Sequence, residues 1–250
     1  MTPADVIEGR ARWCVVEGDN RQVLPTLPLV DHAITDPPYN AATHANGLCG
    51  TIGDFASAAD RGVTFGALED ARGTARALVA CASRWVVAFC AVEQVGEYAV
   101  GAGDAWVRAG VWDKINPSPQ LTGDRPAQAV EALAIMHRKG RKRWNRGGGA
   151  GIWRCAPQQG ADRPDHPTPK PVALMLALIE DFTDPDDIVL DPFCGSGTTG
   201  VACLRLGRRF IGVEREPKYA AVSRERLEAE SKGLTLRDAR AGQLSLLGGP

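Results

Sequence analysis

The chain has 250 residues, of which 44 % are hydrophobic and 24 % charged, and its 29 lysines and arginines nearly balance 30 acids to a net charge of -1. That composition excludes disordered, fibrous and collagen-like classes and leaves room for one sizeable α/β domain. No apolar run nears the roughly 18 residues of a membrane span, and MTPADVIEGRARW has no apolar signal core, so a cytoplasmic protein is expected.

In chain order, the first expected strand is Trp13 to Val16, followed by the turn EGDN with Asp19. The second, His32 to Thr35, runs into Asp36-Pro37-Pro38-Tyr39. Two consecutive prolines give up two donors and fix two φ angles, so this turn holds an acid and an aromatic ring at set places just past a strand end. A helix is expected over Leu68 to Cys81 and a strand over Trp85 to Phe89. The runs Trp106 to Trp112 and Ala132 to His137 have only INPSPQLTGDRPAQ between them, with no helical pattern, and should pair antiparallel at one edge of a sheet.

Between His137 and Gly160 lie Arg138, Lys139, Arg141, Lys142, Arg143, Arg146 and Arg154 with no acid, a local charge of +7. Gly147, Gly148, Gly149 and Gly151 make this segment a flexible loop. It reads either as a surface for a polyanion or as a solvated loop.

A helix over Val172 to Phe182 leads to the strand Ile188 to Leu190 and the string DIVLDPFCGSGTTG. Here a short strand ends in Asp191, and Gly195 and Gly197 let backbone approach a ligand before a helix opens over Thr198 to Leu206. The next strand, Phe210 to Val213, ends in Glu214, an acid able to accept both hydroxyls of a ribose. A helix over Pro217 to Glu228 follows, and the tail after Lys232 should fray. The seven cysteines are scattered and odd in number, without a C-x-x-C pair, and read as reduced, space-filling thiols. No metal site is expected.

GSGTTG also fits the G-x-G-x-x-G turn of nicotinamide dinucleotide enzymes. The preceding Asp191 separates the two: an acid there repels a pyrophosphate but suits a cofactor bearing a sulfonium and an ammonium, such as S-adenosylmethionine.

DPPY at Asp36 to Tyr39, HPTPKP at His166 to Pro171 and DPFCGSGTT at Asp191 to Thr199, in that order, resemble the amino-group DNA methyltransferases of the permuted "beta" arrangement. The likeness runs from about Val15 to Leu227. It implies methyl transfer from S-adenosylmethionine to an exocyclic amine of a base rotated out of DNA, with Asp36 and the Pro37 carbonyl as acceptors, Pro38 stiffening the turn and Tyr39 stacking on the base. For the cofactor it implies Asp19, His166, Thr168, Lys170, Asp191, Phe193, Gly195, Gly197, Thr198 and Glu214, with Lys170 pairing the methionine carboxylate. Pro169 stands where relatives more often carry an acid. Aspartate at the head of DPPY favours adenine N6 as target, with cytosine N4 as the alternative.

Relatives that read long sites carry a separate recognition region before HPT-x-KP; here only 28 residues, 138 to 165, precede His166. DNA contact is therefore expected from Arg138, Lys139, Arg141, Lys142, Arg143, Trp144 and Arg146, with Trp153, and from Ala41 to Gly66, with a short or relaxed recognition sequence. Such enzymes often form homodimers. From other classes, a nicotinamide-dependent oxidoreductase leaves DPPY unexplained, and a DNA-binding module with a decayed site is at odds with an intact Asp36. An RNA substrate is a further possibility.

The expected architecture is one α/β domain over 1–232: a mainly parallel sheet of about seven strands with an antiparallel edge hairpin. Its catalytic half is 13–137, its basic loop 138–165, its cofactor half 166–228 and its tail 233–250.

Overall fold

The computed structural model describes residues 1–38, 70–117, 119–120, 122–158 and 170–242. Its centre is one eight-stranded sheet: β1 (Trp13–Glu17), β2 (His32–Thr35), β3 (Trp85–Cys90), β4 (Trp106–Lys114), β5 (Val130–His137), β6 (Ile152–Cys155), β7 (Ile188–Asp191) and β8 (Arg209–Glu214). In space the order is β1-β8-β7-β2-β3-β5-β4-β6. The first five run parallel, β5 is antiparallel to both β3 and β4, and β6 runs parallel to β4.

The expected pairing of β4 with β5 is present, and an eighth strand, β6, lies outside it. IWRC is short and follows a run of glycines, so nothing in its pattern marks a strand. It can dock because Gly110 of β4 has no side chain: a Cβ there would stand 2.7 Å from the Trp153 ring. Trp153 is instead buried in the main core.

Helices cover both faces. On one side α5 (Val172–Phe182), α6 (Thr198–Arg205) and α7 (Pro217–Ser231) pack Leu174, Leu178, Phe182, Val201 and Leu227 against Val87, Phe89 and Leu133. On the other, α3 (Ala71–Cys81) and α4 (Val95–Ala102) set Ala75, Leu78 and Tyr98 against Val86, Ala88, Ala134 and Met136. The strict alternation along β3, odd residues to one core and even residues to the other, is the period of two expected of a strand buried on both faces. Short helices α1 (Pro3–Ile7) and α2 (Asn20–Val23) flank β1. The tail is less frayed than expected: α8 (Leu236–Arg240) is held to α7 by Arg240 on Glu225 at 2.9 Å.

Adjacent strands β7 and β2 send their chains in opposite directions along the sheet, β7 to β8 and β2 to β3. Their carboxyl ends therefore open a crevice at a topological switch point, the usual ligand position in an open parallel sheet. No helix among the described residues is long and apolar enough to cross a membrane.

Candidate active site

The carboxyl ends of the four strands at this crevice each deliver an acid: Asp19 just past β1, Glu214 at the end of β8, Asp191 at the end of β7 and Asp36 just past β2. Two of these segments are joined directly. The Thr35 hydroxyl donates to Asp191 Oδ1 at 2.6 Å, closing a separation of 156 residues, so Asp36 and the glycine turn stand side by side.

Asp191 does this from inside the protein. It is 2 % exposed, and it also accepts from the Thr199 hydroxyl at 2.5 Å and from the Phe193 amide at 3.1 Å. Burial pushes its carboxyl up from the ordinary 3.8 to about 6, against these three donors. Asp191, expected at the cofactor, has its side chain engaged as a fastener between β2, the glycine turn and α6.

The turn is anchored from both sides. Gly195 (φ +52°) donates its amide to Glu214 Oε2 at 2.7 Å, while Glu214 Oε1 accepts from the Glu216 amide at 2.8 Å. Gly197, the N-cap of α6, is left-handed at φ +81°, and a Cβ there would meet Ser223 Oγ at 2.5 Å. The Thr198 hydroxyl accepts from Arg226 at 2.9 Å, and the same guanidinium donates to the Ser196 carbonyl at 3.2 Å. Thr198 is thus engaged in holding the turn. Phe193 is half-buried.

Asp19 caps α2 through the Arg21 amide at 2.9 Å, and the Arg21 guanidinium pulls its carboxyl down to about 2. Asn20 ties this corner to the glycine turn, donating to the Pro192 carbonyl at 3.1 Å.

Lys170 is placed differently from the expectation. Its ammonium lies 2.6 Å from Asp36 Oδ2 and 3.3 Å from Glu131 Oε2, over the Phe89 ring at 4.9 Å, and Glu131 also pairs with Lys114 at 2.7 Å. Burial by itself would lower the lysine, but Asp36 and Glu131 outweigh it and hold the group above its ordinary range. A charge chain therefore runs Asp36, Lys170, Glu131, Lys114. Glu131 lies within the apolar strand VEALAIMH, a signal that could have marked it; Arg226, Thr35 and Thr199 gave none.

Pro37 is buried and Pro38 half-buried beside Asp36. Tyr39, His166, Thr168 and the segment 41–66 lie outside the described residues.

The basic run stands away from the crevice. Because β5 is antiparallel, His137 pairs with Trp85 at the amino end of β3, and the Arg138 amide donates to the Arg84 carbonyl. Arg138, Lys139, Arg141, Lys142, Arg143, Trp144 and Arg146 therefore follow at the end of the sheet opposite Asp36. Trp144 is packed on the core 6.3 Å from the Phe182 ring, and the Trp153 indole donates to Asp181 at 2.8 Å, so neither stands ready to stack on a base. Arg154 pairs with Asp113 at 2.9 Å.

The six described cysteines are free thiols, and burial pushes Cys14 and Cys90 up to about 12. Among the described residues no cluster of His, Cys, Asp and Glu could hold a metal ion.

Comparison with known proteins places this geometry. A family model of N6/N4 type, described as DNA methylase, matches residues 105–225. The chain is 30 % identical over 246 residues to the type II methyltransferase M.HinfI of Haemophilus influenzae, covering 85 % of this chain and 67 % of that protein. It is similar to the crystal structure of the M1.HpyAVI–SAM complex, with a TM-score of 0.66 and 26 % identity over 86 % of this chain and 98 % of that one. The fold is also that of the cytosine-N4-specific PvuII DNA methyltransferase, with a TM-score of 0.61 and 18 % identity over 86 % of each chain.

Proposed function

Since the chain belongs to the amino-group DNA methyltransferases of the N6-adenine and N4-cytosine type, we propose that it moves the methyl group of S-adenosylmethionine to N6 of an adenine rotated out of a DNA duplex. The observation that carries this reading is the Thr35–Asp191 bond, which sets Asp36 beside the glycine turn at the switch point.

The described residues suit such a methyl donor. A crevice rimmed by Asp19, Glu214 and Asp36 favours a molecule with a sulfonium and an ammonium, and the left-handed Gly195 and Gly197 keep side chains out of the turn. Glu214 would hold the ribose hydroxyls, Asp19 would lie toward the adenine ring, and Phe193 would pack on it. When bound, the donor supplies an electrophilic methyl carbon.

The protein's part is to make a poor nucleophile attack. An exocyclic amine has its lone pair delocalised into the ring, and acceptors on its two N–H groups favour the tetrahedral nitrogen of the transition state. Asp36 and the Pro37 carbonyl are those acceptors, fixed by two prolines so that no ordering is needed at each turnover. An ammonium 2.6 Å away makes Asp36 an anchored acceptor and a weak base. Weak basicity suffices: an amine that has gained a methyl group is cationic and gives up its proton readily to solvent. Lys170 thus acts through Asp36, and Tyr39 is proposed as the platform on which the base stacks.

Adenine is preferred because aspartate heads the DPPY turn. Transfer of labelled methyl to unmethylated DNA, followed by nucleoside chromatography, is expected to give N6-methyldeoxyadenosine. Label in N4-methyldeoxycytidine would move the target to cytosine within the same class. Recognition is proposed to be short or relaxed, supported by the brief interval before HPT-x-KP. A randomised duplex library returning one unique long site would overturn that.

A further inference from the structure

We propose that the basic run after β5 is a second duplex-binding surface, separate from the crevice, which grips DNA by its phosphates without reading sequence. Its place in the fold separates it: the eight residues of β5 span about 27 Å at ~3.4 Å each, and the run leaves from the end away from Asp36.

Four cations there, Arg138, Lys139, Arg141 and Lys142, are exposed, and none has an acidic partner among the described residues. Their neighbours are paired at the surface: Arg143 lies 3.2 Å from Asp184 and Arg146 3.6 Å from Asp181. The backbone is held on either side of the four, with the Arg138 amide donating to the Arg84 carbonyl at 3.1 Å on one side. The Trp85 indole donates to the Arg143 carbonyl at 2.6 Å, and Asn145 donates to the carbonyls of Glu180 and Thr183 at 3.1 and 2.8 Å. A recess of about 140 Å³ opens beside them, with Arg141 and His137 in its wall; Arg84 there is paired with Asp187 at 2.9 Å, and Asp184 also lines it.

Charge without an apolar anchor points to nucleic acid rather than protein. Protein interfaces draw their energy from buried aromatic and aliphatic anchors, whereas phosphate contacts require donors and positive charge. The run shows no exposed large hydrophobic residue, its single aromatic side chain, Trp144, being turned into the core.

The test uses the variant R138Q/K139Q/R141Q/K142Q. Protein is captured on an immobilised duplex of one to two turns, about 34–36 Å each, and challenged with a second, fluorescent duplex. The wild type is expected to retain the second duplex and the variant to lose it at least tenfold. The variant's affinity for long DNA should show a salt slope shallower by about 3 to 4, with methyl transfer to a short duplex within twofold of wild type. The proposal is overturned if the wild type retains no second duplex, if the variant retains it as well as the wild type, or if short-duplex methylation falls in step with retention. Capture reads DNA contact alone, so failure of this surface is distinguishable from failure of methyl transfer.

Discussion

Lys170 marks the difference between a residue named by its motif and a residue placed by its neighbours. HPTPKP resembles an element near the cofactor, and sequence alone assigned the lysine to a cofactor carboxylate. Its ammonium is shared instead between Asp36 and Glu131. Glu131→Gln is expected to lower kcat about tenfold, roughly 1.4 kcal/mol, by loosening the ammonium that fixes Asp36, with the KM for S-adenosylmethionine unchanged. A fall in cofactor affinity of the same size would return Lys170 to the cofactor. Asp191 gives a pH prediction. Its acid form is favoured by folding, since its carboxyl rises from 3.8 to about 6 on burial. Its contribution is therefore complete below about pH 4 and is lost as pH rises through 6, up to about 3 kcal/mol. Asp191→Asn should flatten that part of the stability profile in thermal melts; an unchanged slope would assign it to other groups. The placement of Asp36, Pro37, Pro38, Glu214 and the glycines at strand ends and in one turn was legible because it is set within a short string. Glu131, Arg226 and the inward role of Asp191 were not, because each depends on what another segment brings beside it.

At the level of elements, hydrophobic periodicity located the buried strands and the long helices. Val172–Phe182 and His32–Thr35 match their expected bounds, each being an apolar run with a clear break after it. What stayed hidden was structure with little pattern: α4 carries two glycines in VGEYAVGA, and β6 exists through its contact with Gly110. The glycines before β6 predict a flexible loop, yet Trp144, Asn145 and the Arg143 carbonyl bind its leading part to the body of the protein. The turn before α6 is the element on which cofactor affinity is expected to hinge. Gly197→Ala imposes a left-handed L-residue, about 1–2 kcal/mol, and drives a Cβ to 2.5 Å from Ser223 Oγ. Thermal melts should show a loss of several degrees and titration a weaker cofactor affinity. Adding Ser223→Ala should restore the steric share and leave the backbone share. Wild-type affinity in the single variant would separate the turn from cofactor binding.

Across the whole molecule, the crevice acids and the four exposed cations of the basic run stand at opposite ends of the sheet. Asp19, Glu214, Asp191 and Asp36 lie at the carboxyl ends of β1, β8, β7 and β2, while Arg138, Lys139, Arg141 and Lys142 follow β5 at the other end. Sequence showed both groups but not their separation, since the direction of β5 decides it and a single antiparallel strand reverses the side on which its following loop emerges. The central claim is that Asp36 and the glycine turn, far apart in the chain, form one methyl-transfer site. Its most direct test is single-turnover transfer of labelled methyl from S-adenosylmethionine to DNA by wild type and Asp36→Ala, with cofactor affinity measured in parallel. The account predicts that the variant binds S-adenosylmethionine as the wild type does and transfers no methyl group. Transfer at an undiminished rate by Asp36→Ala would contradict it.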